Sequence, residues 1–229
     1  MSVIGATVAG MDSTRLTPTA VAADPELADW RVLLGRLSTR FATGSFVTGA
    51  RLVAAITEIA EELDHHPDLD LRYPHLTVTT VSHDVGHLTG RDRELARRVS
   101  AAARSMDVSA VPAEVSTLEV ALDVTDADRV RPFWAAVLGL QAGADGDLAD
   151  PAGRIAPLWF QQMDEPRTAR NRFHLDITVP HDVAEQRVAD ALAAGGTLVS
   201  DERAPSWWVL ADAEGNEVCV CTWQDREDF

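Results

Sequence analysis

The stretch that decides the fold is residues 46–67, FVTGARLVAAITEIAEELDHHP, followed after fourteen residues by residues 82–92, SHDVGHLTGRD. Phe46, Ala50, Val53, Ile56, Ala60 and Leu63 recur at gaps of three and four. They form one apolar face of a helix that Ser45 can cap. That helix is expected to deliver His65 and His66 at its C-terminal end, with Pro67 as the stop. Glu61 and Glu62 lie four residues earlier, one turn below, where carboxylates and the helix dipole favour charged imidazole. Leu76, Val78 and Thr80 alternate as a strand ending near Ser82, so the chain can bring His83 back to the same pocket. Thr89 and Asp92 have capping-box spacing at the start of a second helix with Leu95, Val99 and Ala102 inward. Three histidines with an aromatic ring beside them suit acid/base work on a planar heterocycle.

Working outward, Trp30 to Ala42 reads as two short strands, 31–34 and 37–42, around Gly35. The order strand–strand–helix–strand–helix, with room for a helix before Trp30, indicates an α+β fold. A change of composition at residues 107–116, DVSAVPAEVS, divides the chain into domains at 1–110 and 111–229. The second half repeats itself. Strand 118–124 leads into helix 127–138 and Gly139; strand 173–179 leads into helix 183–194 and Gly195-Gly196. Further strand-like segments follow at 157–163, 197–200, 207–211 and 217–223. Two βαβββ modules, able to curve into a cup, describe this pattern.

The 229 residues carry a net charge of −16, and all 20 basic residues are Arg. Residues 1–110 hold 11 Arg against 14 acids, net −3; residues 111–229 hold 9 against 22, net −13. Such a surface repels phosphate backbones, which argues against nucleic acid as a partner. No run reaches the roughly 18 apolar residues of a spanning helix. Residues 1–11 lack the positive n-region of a signal peptide. Cys219 and Cys221, two apart on one strand, read as reduced thiols, and the whole reads as a cytoplasmic protein.

The arrangement resembles pterin-4a-carbinolamine dehydratases. Their pattern E-x3-H-H-P-x5-Y-x9-H-x8-D is met by Glu61, His65, His66, Pro67, Tyr73, His83 and Asp92, and the likeness spans about residues 14–104. Two departures stand out. Leu69 occupies a position that is often aromatic. His87 stands where the family has a glycine, so either the turn differs or a fourth histidine enters the site. The resemblance implies dehydration of 4a-hydroxytetrahydrobiopterin to quinonoid dihydrobiopterin and water, with no cofactor. It implies His65 and His83 as the acid/base pair and His66 as an orienting group. Asp92 would hold the site together, with Glu61, Pro67 and Tyr73 on the substrate side and Tyr73 as a core or pocket-wall aromatic. It also implies a homo-oligomer acting on a small-molecule pterin. The alternative implied by the same family is a non-catalytic pterin-binding or regulatory module.

Residues 119–126, 133–139, 171–176 and 212–217 resemble glyoxalase-like (vicinal oxygen chelate) domains, over about residues 116–224. Metal-dependent members draw one ligand from each of four strands. With Val120, Leu122 and Val124 inward, Glu119 faces the cup; the same parity turns His174 and Glu217 toward it. These three would suit a divalent ion such as Zn, Mn, Fe or Ni, with Gln161 or Gln162 as a weak fourth ligand. Matching residues 122–125 to 175–178 instead sets Ala121 opposite His174 and removes the first ligand. A metal-dependent lyase or dioxygenase activity in this half is the reading from another class. Trp207 and Trp208 suit stacking or core packing, and the cysteines share the face of Glu217.

Overall fold

The computed structural model describes residues 14–143, 145–166 and 175–225. The chain forms two compact units that divide between Thr117 and Leu118 rather than at residue 110.

In the first unit, α1 (Pro18–Ala23) and a 3-10 turn lead to β1 (Arg31–Leu33) and β2 (Arg36–Ala42). Then come α2 (Phe46–Leu63), β3 (Asp68–Arg72), β4 (His75–Thr80), α3 (Gly90–Ser105) and the two-residue β5 (Ser109–Ala110). The sheet is antiparallel throughout in the order β1-β2-β4-β3, with β5 also beside β2. β5 and the 3-10 turn at 112–114 are what carry this unit past residue 110. Leu34 and Gly35 both have positive φ (44° and 73°), the requirement of a tight two-residue hairpin between β1 and β2. Leu76, Val78 and Thr80 point inward from β4, and the first two pack with Trp30, Phe41, Leu52, Ile56, Leu95 and Val99.

Strand β3 is absent from the sequence reading. Its residues, DLDLR, alternate correctly, but its leucines are only half-buried and aspartate is a poor strand former, as befits a charged edge strand.

The second unit is a pair of modules with one topology. Strand β6 (Val120–Val124), helix α4 (Ala127–Leu138), β7 (Gln141–Ala142), β8 (Leu148–Ala149) and β9 (Leu158–Gln162) form a sheet ordered β6-β9-β8-β7. Strand β10 (Asp176–Thr178), helix α5 (Ala184–Ala193), β11 (Thr197–Arg203), β12 (Trp207–Ala211) and β13 (Glu217–Cys221) repeat it as β10-β13-β12-β11. In each, the first strand pairs parallel with the last and the remaining pairs are antiparallel. These are the two βαβββ modules the repeat predicts, and the molecule is α+β as expected. Phe133, Trp134, Val188, Leu210, Val218 and Val220 share one core across both modules. The Trp134 Nε1–H donates to Asp212 (2.9 Å), and the Glu214 carboxylate accepts from the Thr125 and Asp126 amides (2.9 and 2.8 Å).

Candidate active site

Helix α2 starts on Ser45, whose Oγ accepts from the Thr48 amide (3.1 Å), and ends at Leu63. The stop is not Pro67. Asp64 turns left-handed (φ 48°), its amide donates to the Glu61 carbonyl (3.4 Å), and the His65 amide reaches back to Ala60 (3.1 Å). This is a Schellman closure, and it fixes the backbone of His65 while taking His65 and His66 off the helical track. The expected ladder of Glu61 to His65 and Glu62 to His66 is therefore replaced. Glu61 meets His66 Nε2 (3.1 Å) on the exposed surface, and Glu62 pairs with Arg98 (2.8 Å).

His65 turns inward and is 5% exposed; Asp92, on the first turn of α3, is wholly buried. Its Nε2 lies 2.8 Å from Asp92 Oδ1 and 3.1 Å from Thr80 Oγ1, and Thr80 itself donates to Oδ1 (2.8 Å). The other carboxylate oxygen, Oδ2, accepts from the Ser82 hydroxyl and from the Thr89 amide, both at 2.8 Å. With the Ser82 proton committed there, the Thr89 hydroxyl must donate to Ser82 Oγ (2.8 Å). Asp92 thus completes the capping box that its spacing predicts and also grips His65. Burial is the largest influence on its carboxyl and opposes ionisation. The hydrogen bonds from His65, the Thr89 amide, Ser82 and Thr80 together outweigh it and hold Asp92 below the usual carboxylate range.

His83 is exposed at the start of the turn 83–86, directly after Ser82. The turn is pinned at its base by the Gly86 amide on the Ser82 carbonyl (2.9 Å) and at its rim by the Asp84–Arg91 ion pair. The Arg91 hydrogen bond is the main cause that holds the Asp84 carboxyl below the usual carboxylate range. The positive φ in the turn belongs to Gly86 (68°), so His87 fits without strain and its Nδ1–H donates to the Val85 carbonyl (2.9 Å).

Tyr73 is not beside the histidines. It sits 71% exposed in the two-residue β3–β4 loop, with the five residues of β3 between it and Pro67. At about 3.4 Å per residue that is roughly 20 Å. It is neither a core aromatic nor, within one chain, a wall of this site. Pro67 is half-buried in the link from His66 to β3.

Thr80 and Ser82 are the residues that sequence reasoning missed. The signal was available: Leu76, Val78, Thr80 and Ser82 keep a period of two, so two hydroxyls end an otherwise apolar inward face beside a capping-box acid. A cavity of about 380 Å³ in this unit is lined by Asp29, Phe41, Ser100, Arg104 and Val108 and contains none of these histidines.

In the second unit, Val120, Leu122 and Val124 are the more buried side of β6 and Ala121 and Asp123 the exposed side, as the parity argument requires. Glu119 is exposed just before the strand, and Glu217 is half-buried at the start of β13. His174 lies outside the described residues. Among the described residues no group of three or more His, Cys, Asp or Glu could hold a metal ion. Trp207 and Trp208 are both half-buried, the latter packed against the core. Neither Cys219 nor Cys221 is in a disulfide. Burial above all, then the neighbouring Asp176, pushes the Cys219 thiol up to about 12.

Residues 14–102 match the model of the family described as pterin 4 alpha carbinolamine dehydratase, and residues 119–221 match that of the glyoxalase-like domain. A Nocardia farcinica (strain IFM 10152) protein named "Putative pterin-4-alpha-carbinolamine dehydratase" is 39% identical over 79 residues, 34% of this chain and 83% of that protein. The chain belongs to the pterin carbinolamine dehydratase family. Family membership accounts for the first unit, and the glyoxalase-like unit is fused after it. Among solved structures, the transcriptional coactivator/pterin dehydratase from Brucella melitensis is 27% identical, covering 39% of this chain and 99% of that one (TM-score 0.36). A glyoxalase/bleomycin resistance protein from Albidiferax ferrireducens T118 is 21% identical, covering 45% of this chain and 95% of that one (TM-score 0.36). Among the described residues no helix is long and apolar enough to cross a membrane.

Proposed function

We propose that the first unit is a hydro-lyase that dehydrates 4a-hydroxytetrahydrobiopterin to quinonoid dihydrobiopterin, with His65 and His83 exchanging protons with the substrate. The 4a-hydroxyl leaves as water once one imidazolium protonates it. The lone pair of the adjacent ring nitrogen becomes the second bond to C4a, and the nitrogen's proton passes to the other imidazole. His66, exposed and held by Glu61, orients the pterin. The observation that carries this reading is the buried His65–Asp92 contact of 2.8 Å, set beside the turn that presents His83. A buried carboxylate behind an imidazole orients the ring and stabilises the charge it acquires. Family membership supports the substrate class. The same reading takes the protein to act as a homo-oligomer on a small-molecule pterin.

The test is the spectrophotometric conversion of a 4a-hydroxytetrahydropterin by wild-type chain and by folded His65→Ala and His83→Ala variants. Each variant is expected to lose about 10²- to 10⁴-fold in kcat, the usual contribution of a positioned acid or base. A wild-type chain no faster than buffer would overturn the assignment.

A further inference from the structure

His65 presents two ring nitrogens to two different environments. Nε2 faces Asp92 Oδ1 and Thr80 Oγ1. Both are used as acceptors there: Asp92 is ionised, and the hydroxyl proton of Thr80 is spent on that same carboxylate oxygen. Only an N–H can sit at 2.8 and 3.1 Å from two acceptors, so the neutral ring must carry its proton on Nε2. Among the described residues Nδ1 has no hydrogen-bond partner. His65 itself is 5% exposed.

We propose that Asp92, held in place by Thr80, Ser82 and the Thr89 amide, commits Nε2 of His65 as a permanent donor, so that Nδ1 is the atom that takes the substrate's proton and Thr80 and Ser82 are positioning residues. The identity of that proton rests on the dehydratase reading; the tautomer does not. In the balanced step, the proton on the ring nitrogen next to C4a passes to Nδ1. That nitrogen's lone pair becomes the second bond to C4a, the C4a–O bond breaks, and the leaving oxygen takes a proton from the His83 imidazolium to form water. Solvent then carries one proton from His65 back to His83, which restores both rings. The transient imidazolium of His65 is stabilised by Asp92, whose four hydrogen-bond donors are already in place.

The backbone dictates an unusual outcome for Asp92→Asn. The Thr89 amide can only donate, so the new side-chain oxygen must take the Oδ2 position. The new amide NH2 then faces Nε2, which must become an acceptor, and the ring proton moves to Nδ1. ¹⁵N NMR of the full chain without substrate, with His65 assigned by loss of its signals in His65→Gln, reads this directly. Wild type is expected to show protonated Nε2 and bare Nδ1 in the neutral ring, and Asp92→Asn the reverse, with kcat down at least 10²-fold. Protonated Nδ1 in wild type, or an unchanged tautomer in the variant, overturns the proposal. Thr80→Val provides a second route if Asp92→Asn does not fold. It is expected to lower kcat about 10-fold at unchanged KM, with Thr80→Ser restoring most of it; wild-type kcat in Thr80→Val overturns the positioning role. Because the tautomer is read without turnover, a wild-type chain lacking dehydratase activity would refute the function and still leave the network assignment decided by NMR.

Discussion

Replacing Asp92 by alanine removes one carboxylate and strands four donors: His65 Nε2–H, the Thr80 and Ser82 hydroxyls, and the Thr89 amide. All four residues are less than a tenth exposed, so water cannot freely replace the lost acceptor. At about 1 kcal/mol per unsatisfied buried donor the cost is about 4 kcal/mol. For a unit of about 100 residues this corresponds to a melting temperature lower by at least about 16 °C. The assay is hydrogen exchange in peptides from β4 and α3 across a urea series, which isolates this unit in a chain that need not unfold in one step. Glu61→Ala is the internal comparison. It breaks a carboxylate–imidazole contact of similar length (3.1 Å) on the surface, where such pairs contribute little. If Asp92→Ala were as stable as Glu61→Ala, the buried network would not hold this unit together. The same carboxylate predicts a pH dependence. Its pKa is lowered in the fold, so its contribution is complete above the unfolded value of about 3.9 and is lost as pH falls through the lower folded value. Asp92→Asn should remove this part of the acid limb.

In the second unit, a Cβ on Gly196 would meet two ring atoms of Phe133 at 2.4 Å and the Ala191 carbonyl at 2.9 Å. Phe133 is a core residue that cannot yield, so Gly196→Ala is expected to cost at least about 1–3 kcal/mol in thermal or urea unfolding. Glu214→Ala should cost about 1–3 kcal/mol, because it strips the acceptor from the Thr125 and Asp126 amides and from the Thr125 hydroxyl. Faster exchange at those two amides is the measurement that checks it. Cys219, with its thiol pushed up to about 12, and Cys221, 1% exposed, should resist iodoacetamide at pH 8 until denaturant is added. Rapid alkylation of Cys219 on the folded chain, read by mass spectrometry, would contradict that environment.

The amino-acid sequence by itself determined the helices, the paired modules and the family, because these rest on local chemistry. Apolar residues spaced three and four apart, Ser45 and Thr89 as caps, and the duplicated strand–helix–glycine pattern each act within a few residues of the chain. It also marked Glu61, His65, His66, His83 and Asp92 as chemistry-bearing. Only the tertiary structure decided which of them work together. The left-handed turn at Asp64 sends His65 into the core and leaves His66 with Glu61. An inference that extended the helix to Pro67 therefore paired the wrong residues. The extended run of β3, weak in sequence because an edge strand buries little, carries Tyr73 to the far end of the sheet. Thr80 and Ser82 gain their role only when β4 is laid against the start of α3, residues distant in the chain, where one buried carboxylate must find every donor it needs.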